Sequence, residues 1–226
     1  MKKSSQNKNV TVYLVARLGS VRTKDKNIRD FAGGLSLFEI MCKRMKDLTF
    51  PYFAAVGDAK LIEIAKRHHV PVALRSKESL SSDGPLRKIF EFLENCETTH
   101  ASLISPCTPF LEAQTINKSC AAMCQEGYQS ITSVTFEQNW YFGRDQKPLF
   151  PIDIQNMNSK ALEVYAMANA FEIFPVERFL KEGIYYTFKG KNDPFLYRIP
   201  KKEAYDINSE EEFEIASYIW RARHGK

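Results

Sequence analysis

The sequence predicts an α/β fold in which a mostly parallel sheet carries helices on both faces. Apolar, β-branched runs at 10–16, 51–57, 100–106 and 130–136 have the continuity of strands covered from both sides. Between them stand stretches with apolar residues at helical spacing, and the links are short, which is the order of repeated strand–helix units. With 226 residues and 44% hydrophobic content the chain can bury one sizeable core. A single domain over 10–226 is expected, behind a disordered polar tail at 1–9.

The first strand, "VTVYLVA", ends in a basic loop. A helix follows in "GGLSLFEIMCKRM": Ser36 and Glu39 form an S-x-x-E capping box, and Leu37, Ile40, Met41 and Met45 recur on one face. "PYFAAVG" at 51–57 is the second strand. The helix after it, 58–69, has Asp58 at its N-cap and Leu61, Ile64 and Ala65 facing inward. "VPVALR" is a short strand, 85–95 a helix through Ile89, Phe90 and Leu93, and "HASLISP" at 100–106 a buried strand ending in a proline-flanked turn. "EAQTINKSCAAMCQEG" is a helix stopped by Gly127, with Cys120 and Cys124 on one face, and "SITSVTF" at 130–136 is a strand. Segment 137–160, with Trp140, Tyr141, Phe142, Phe150, Pro148 and Pro151, breaks the rhythm. It reads as an excursion from the sheet, either folded onto its own domain or meeting a partner through apolar surface. Strands at 164–174 and 194–200 and a helix over 209–223 complete the chain. Ligands of such sheets bind beyond the carboxyl ends of the strands.

Composition removes several function classes. The 32 Lys and Arg against 27 Asp and Glu give a net charge of +5, spread along the chain rather than gathered in one tract, so anionic small molecules are expected as partners and nucleic acid is not. The apolar patch at 10–16 runs straight into Arg17, too short for a signal core or a membrane span. Five cysteines, an odd number without zinc spacing, read as reduced thiols of a cytoplasmic protein. No catalytic triad or His–Cys dyad stands out, and His68, His69, His100 and His224 read as structural.

The chemistry concentrates in "VARLGSVRTKDKN". Arg17, Arg22, Lys24 and Lys26 crowd around Gly19, and their mutual repulsion calls for an anion. A strand that opens through a glycine-containing loop into a helix offers backbone N–H groups to phosphate oxygens. Neither G-x-G-x-x-G nor G-x-x-x-x-G-K-[ST] is present, so dinucleotide and Walker-type binding are not supported. On these residues alone, a solvated basic loop is an equal reading.

The spacing adds to this. Ala16-Arg17-Leu18-Gly19-Ser20 through Lys26-Asn27-Ile28 resembles the A-R-x-G-S…K-N loop of the CMP-sugar synthetases, the cytidylyltransferases of acylneuraminate, related nonulosonates and KDO. Arg75, Leu80 and Asp83 fill the places of that family's R-P-x-x-L-x-x-D, and Pro106, Thr108 and Pro109 those of its L-Q-P-T-S-P. "ANAFEIFPVERFLKEG" is similar to its N-G-A-x-Y-I-F segment and following helix, and "YDINSEEEFEIA" to its closing D-I-D-T-x-x-D-F. The resemblance runs in order over residues 11 to 216.

That resemblance implies a Rossmann-like nucleotidyltransferase fold and the transfer of CMP from CTP to a sugar acid, with release of pyrophosphate. It places Arg17 and Lys26 on the triphosphate with Arg22 as a further clamp, and Gly19, Ser20 and Asn27 around the nucleotide. The backbone of Val15, Ala16 and Arg17 and the turn at Ser105 and Pro106 would face the cytosine. Arg75 and Asp83 would contact ribose or phosphate, or pair with each other on the surface. Ser20 and Asn27 could equally stabilise the loop itself. Mg²⁺ would sit at Asp206 and Asn208, and the excursion would serve a homodimer. Asn208 or Ser209 also suits the cap of the last helix, with Glu212 closing a capping box.

The chain departs from the family at Val21, where lysine is usual, at Ser105 in place of glutamine, at Ala168 and Asn169 in place of Asn-Gly, and at Asn208 in place of aspartate. These departures keep open a phosphorylated or phosphonate acceptor, another base, or a nucleotide-binding protein without turnover.

Overall fold

The computed structural model describes residues 8–20, 22–80, 84–150 and 163–224. Its strands are β1 (Val10–Val15), β2 (Tyr52–Val56), β3 (Val72–Leu74), β4 (His100–Ile104), β5 (Ile131–Gln138), β6 (Glu163–Pro175) and β7 (Phe195–Arg198). Its α-helices are α1 (Leu37–Met45), α2 (Ala59–Arg67), α3 (Leu86–Ile89), α4 (Ala113–Gln125), α5 (Val176–Glu182) and α6 (Glu210–His224). The strands form one seven-stranded sheet in the order β3-β2-β1-β4-β6-β5-β7.

Alternation along β1 shows why helices cover both faces. Val10, Val12 and Leu14 point to one side, into a core with Phe38, Met41, Leu61, Ile116 and Met123 from α1, α2 and α4. Tyr13 points to the other, joining Phe92, Leu93, Leu103, Phe174 and Phe179. A third cluster, Phe31, Phe110, Ile207, Phe213 and Ala216, fastens α6 to the end of the loop after β1. There the Ser217 hydroxyl donates to the Phe31 carbonyl at 2.5 Å.

The capping box at Ser36 and Glu39 forms as expected, with the Glu39 N–H on the Ser36 hydroxyl at 3.3 Å and the Ser36 N–H on the Glu39 carboxylate at 2.9 Å. The last helix is likewise boxed by Ser209 and Glu212, so Ser209 is the cap and the Asn208 side chain is left for other work.

The expected mostly parallel sheet is found, and one expectation, the helix at 85–95, changes. The sheet is parallel between β1, β2, β3 and β4 and between β5 and β7, but β6 runs antiparallel to both β4 and β5. No α-helix connects β5 to β6 among the described residues, so the crossover that enforces parallel pairing is missing there. The helix at 85–95 is two pieces, α3 and a 3₁₀ turn at Glu91–Asn95, because Phe90 leaves helical geometry (φ −112°, ψ 35°) and turns its ring toward Phe92, Phe179 and Tyr185. In α4, Cys120 is buried and Cys124, one turn further on, is exposed.

Within the excursion, Trp140 and Phe142 both pack edge-on against Phe150, at 4.5 and 5.3 Å between ring centres, and Phe142 bridges to Pro148. Phe142, Leu149, Tyr165 and Met167 nevertheless remain exposed. The expected tail at 1–9 and the excursion at 151–160 lie largely or wholly outside the described residues. Among the described residues no helix is long and apolar enough to cross a membrane.

Glu172 of β6 is a conspicuous misfit in the described interior. One carboxylate oxygen accepts from the Thr132 hydroxyl at 2.8 Å, while the other is buried with no partner among the described residues. Burial, only partly countered by Thr132, pushes its pKa up to about 8. The folded chain therefore holds a proton there that the unfolded chain has given up, and stability declines as pH rises from about 4.5 through about 8. Glu172→Gln should remove this slope: melting curves at pH 5.5 and 8.5 should show the variant's gain over the parent several degrees larger at the higher pH than at the lower, at about 2–4 °C per kcal/mol for a chain of this size.

Candidate functional site

The sheet order places β2 on one side of β1 and β4 on the other, so the chain's direction of winding reverses between β1 and β4. A crevice is forced open beyond the carboxyl ends of two such strands. Here it is a cleft of about 450 Å³ lined by Val15, Ala16, Arg17, Ser20, Arg22, Lys26, Asn27, Arg75, Ser105 and Pro106, together with Ile89, Phe90 and Cys107. Gly19 lies in the loop between these residues.

The basic loop owes its shape to local conformation and distant anchors. Gly19 has φ +77°, a left-handed conformation in which a side chain would be strained even though nothing crowds the position. The Asn27 amide donates to the Arg17 carbonyl at 2.9 Å, tying the two ends of the loop together. The Leu18 N–H donates to the Asp58 carboxylate at 3.0 Å. Asp58 does occupy the N-cap of α2, but its side chain makes no cap bond; it holds the loop instead.

Lys26 is almost fully buried, and its ammonium donates to the Ile207 carbonyl at 2.6 Å. The Ile207 N–H in turn donates to the Cys107 carbonyl at 2.9 Å. The loop after β1, the turn after β4 and the segment before α6 are thereby joined at one edge of the sheet. That turn is braced by the Cys107 N–H on the Ser105 hydroxyl and the Thr108 hydroxyl on the Ser105 carbonyl, both at 3.1 Å.

Arg75 lines the cleft from within the fold rather than from the surface. Only 3% exposed, its guanidinium donates to the carbonyls of Ala16 at 3.3 Å, Ile89 at 3.1 Å and Ser79. The Ile89 carbonyl is free to receive it because the helix breaks at Phe90. Burial, and after it the Arg17 charge, lower the pKa of Arg75. Asp83 lies outside the described residues.

The backbone expected to face a base is partly committed to the fold. Ala16 donates to the Ala55 carbonyl at 3.3 Å and accepts from Arg75, and the Arg17 carbonyl accepts from Asn27. Other groups face the cleft with capacity to spare. Among the described residues Arg17 makes only long contacts, to the carbonyls of Leu80 at 3.4 Å and Leu18 at 3.5 Å. The Asn27 side-chain oxygen is buried without a partner among the described residues, and two of the three ammonium protons of Lys26 remain after its bond to Ile207.

Arg17, Arg22, Lys26 and Arg75 thus share one cleft, none forms an ion pair among the described residues, and no lining residue described is acidic. Such an arrangement attracts an anion, and several cations converging at a strand-end crevice suit a polyphosphate.

Asp206 and Asn208 stand beside the cleft. Arg22 donates to the Asn208 amide oxygen at 3.0 Å, and the Asn208 amide nitrogen donates to the Asp206 carboxylate at 2.8 Å. Among the described residues no group of three or more His, Cys, Asp and Glu side chains is placed to hold a metal. A single carboxylate with one oxygen to spare fits Mg²⁺, which characteristically takes one or two protein carboxylates and completes its shell with water and phosphate.

No protein-family model matches the chain, and no curated protein sequence matches it. Solved structures do. A CMP:2-keto-3-deoxy-manno-octonic acid synthetase complexed with CTP superposes with a TM-score of 0.67 at 9% identity, over 95% of this chain and 99% of that one. This chain has the cytidylyltransferase fold. The 4-diphosphocytidyl-2C-methyl-D-erythritol synthase of Anaerococcus prevotii gives 0.67 at 11% identity over 96% and 98% of the two chains. A cytidylyltransferase of Leptospira borgpetersenii serovar Hardjo-bovis gives 0.57 at 13% over 93% and 85%. The Rossmann-like nucleotidyltransferase fold expected from the loop motif is thereby found, and at these identities the likeness is one of fold.

Ile89, Phe90, Cys107 and the anchor Asp58 were not singled out as site residues from the sequence. Their places depend on the helix break and on contacts distant in the chain, which leave no local signal. Arg75→Lys should show what the buried fork does, because a single ammonium nitrogen on a shorter side chain cannot span the carbonyls that the two terminal guanidinium nitrogens reach. Leaving one of them unpaired costs about 1–3 kcal/mol, so denaturant titration should register a loss of that order before any ligand is added.

Proposed function

We propose that this protein is a cytidylyltransferase that transfers CMP from CTP to an anionic acceptor of the sugar-acid type, releasing pyrophosphate. The observation that carries this reading is the convergence of Arg17, Arg22, Lys26 and Arg75 on the crevice between β1 and β4, beside Asp206, in a chain of cytidylyltransferase fold.

An acceptor hydroxyl oxygen forms a bond to the α-phosphorus, the bond from that phosphorus to the bridging oxygen of pyrophosphate breaks, and the hydroxyl proton passes to solvent. Negative charge grows on the transferring and leaving groups, and catalysis rests on fixed cations and donors aimed at it. Arg17 and Lys26 hold the triphosphate, with Arg22 at its outer side. Gly19 and Ser20 let the loop backbone approach the phosphates, and the free Asn27 oxygen accepts from the nucleoside. Val15, Ala16, Ser105 and Pro106 form the wall against the base, while Arg75 keeps the end of β1 in place. Asp206 is the residue that would hold Mg²⁺, and the ion would supply further neutralisation of phosphate charge.

A second depression beyond the same sheet edge, at the ends of β5 and β7, is lined by Phe136, Gln138, Arg198 and Lys201. Arg198 lies over the Phe136 ring at 5.1 Å. Lys201 is paired with Glu137 at 2.6 Å, so Arg198 is the cation that suits an acceptor carboxylate, and equally the phosphate of a phosphorylated or phosphonate acceptor. The exposed Phe142, Leu149, Tyr165 and Met167 support a homodimer, which light scattering would register as twice the chain mass.

Purified protein incubated with CTP, Mg²⁺ and a panel of nonulosonic acids, KDO, phosphorylated alcohols and phosphonates should release pyrophosphate with one acceptor class; silence across the panel would refute the reading. Arg17→Ala should weaken CTP binding in calorimetry by about tenfold, close to 1.4 kcal/mol, without changing the melting temperature of the ligand-free protein.

A further inference from the structure

Resting on that reading, we infer that Arg22 takes the place of a divalent cation in this site: its guanidinium, fixed on the Asn208 amide, supplies positive charge where a second carboxylate would otherwise gather metal, leaving one ion on Asp206.

The orientation of the Asn208 amide follows from its neighbours. A guanidinium only donates, so the atom 3.0 Å from Arg22 is the amide oxygen. A carboxylate only accepts, so the atom 2.8 Å from Asp206 is the amide nitrogen. The oxygen that could ligate a metal jointly with Asp206 therefore points away from Asp206, toward Arg22. Rotating it to join Asp206 around one ion would break both hydrogen bonds and set an N–H₂ group against the guanidinium. The Asn208 N–H is also held, by Glu212 at 2.7 Å, and its carbonyl lies 3.5 Å from the Thr23 hydroxyl, so the residue has little freedom to reorient.

Charge leads to the same conclusion. Residues 206 and 208 together carry a single negative charge, and Lys26 on the Ile207 carbonyl places a second fixed cation within the same three residues. A second Mg²⁺ would meet one shared carboxylate, an outward-turned amide, two positive side chains and a Glu212 carboxylate already accepting the Asn208 and Ser209 N–H groups. Arg22 instead offers planar donors that suit phosphate oxygens. It is a binding residue held in place by Asn208, and Asn208 acts through it.

The test counts ions. Mn²⁺ bound in the presence of a non-hydrolysable α,β-methylene analogue of CTP can be measured by electron paramagnetic resonance, with analogue retention measured in the same sample. The parent protein should bind one Mn²⁺ per analogue retained, and so should Arg22→Lys. The double variant Arg22→Ala with Asn208→Asp, which removes the fixed cation and restores a carboxylate, should bind two, its fold checked by circular dichroism. Two ions per analogue in the parent, or one in a folded double variant, would overturn the inference while leaving CTP binding intact. Failure of the parent to retain the analogue at all would instead bring down the reading of the site, and this inference with it.

Discussion

The bond from the Lys26 ammonium to the Ile207 carbonyl holds the site together. It joins residues 181 positions apart, inside the protein and at 2.6 Å. A charged donor on a neutral acceptor in a desolvated setting is worth more than an ordinary hydrogen bond. Without it the loop after β1 would keep Asp58 as an anchor on one side, and on the other only the contacts of Arg22 and Thr23 with Asn208 and the ties of Arg29 and Phe31 to α6. Because Ile207 also donates to Cys107, one residue links the two halves of the crevice wall. Phe31, Phe110, Phe213 and Ser217 brace the arrangement from behind, so the last helix serves the first loop.

Such a site works against the stability of the empty protein. Four cationic side chains share one cleft with no acidic lining residue described to offset them, and Arg75 is buried with its charge. The fold accommodates this by hydrogen-bonding the cations to carbonyl oxygens, which carry partial negative charge without titrating: Leu80 for Arg17, Ile207 for Lys26, and Ala16, Ser79 and Ile89 for Arg75. Neutral dipoles hold the cations in position and leave their net charge for the ligand. An acidic partner would have held them as firmly and cancelled their use.

Much of this was legible in the amino-acid order because it is local. The runs that become β1, β2, β4 and β5, the capping boxes at Ser36 and Ser209, and a loop of four cations around a glycine are all patterns within a dozen residues. What escaped is long-range. Asp58 at the start of a helix reads as a cap, and an N-cap carboxylate and a loop anchor look identical until it is known that Leu18 passes nearby. Phe90 sits at a good helical position, and only the aromatic cluster around Tyr185 draws it out of the helix. The reversal of β6 had no signal either, since strand composition is indifferent to direction.

That reversal has an evolutionary corollary. Because β6 descends from the ligand edge instead of climbing toward it, the long connection from β5 begins and ends at the mouth of the site, whereas a parallel strand would have forced it back to the opposite edge. Residues can be inserted, lost or exchanged there without disturbing β1, β4 or the loop between β1 and α1. The architecture uncouples what is recognised at that mouth from what is held in the crevice, so that one can be remodelled in a lineage while the other is inherited unchanged.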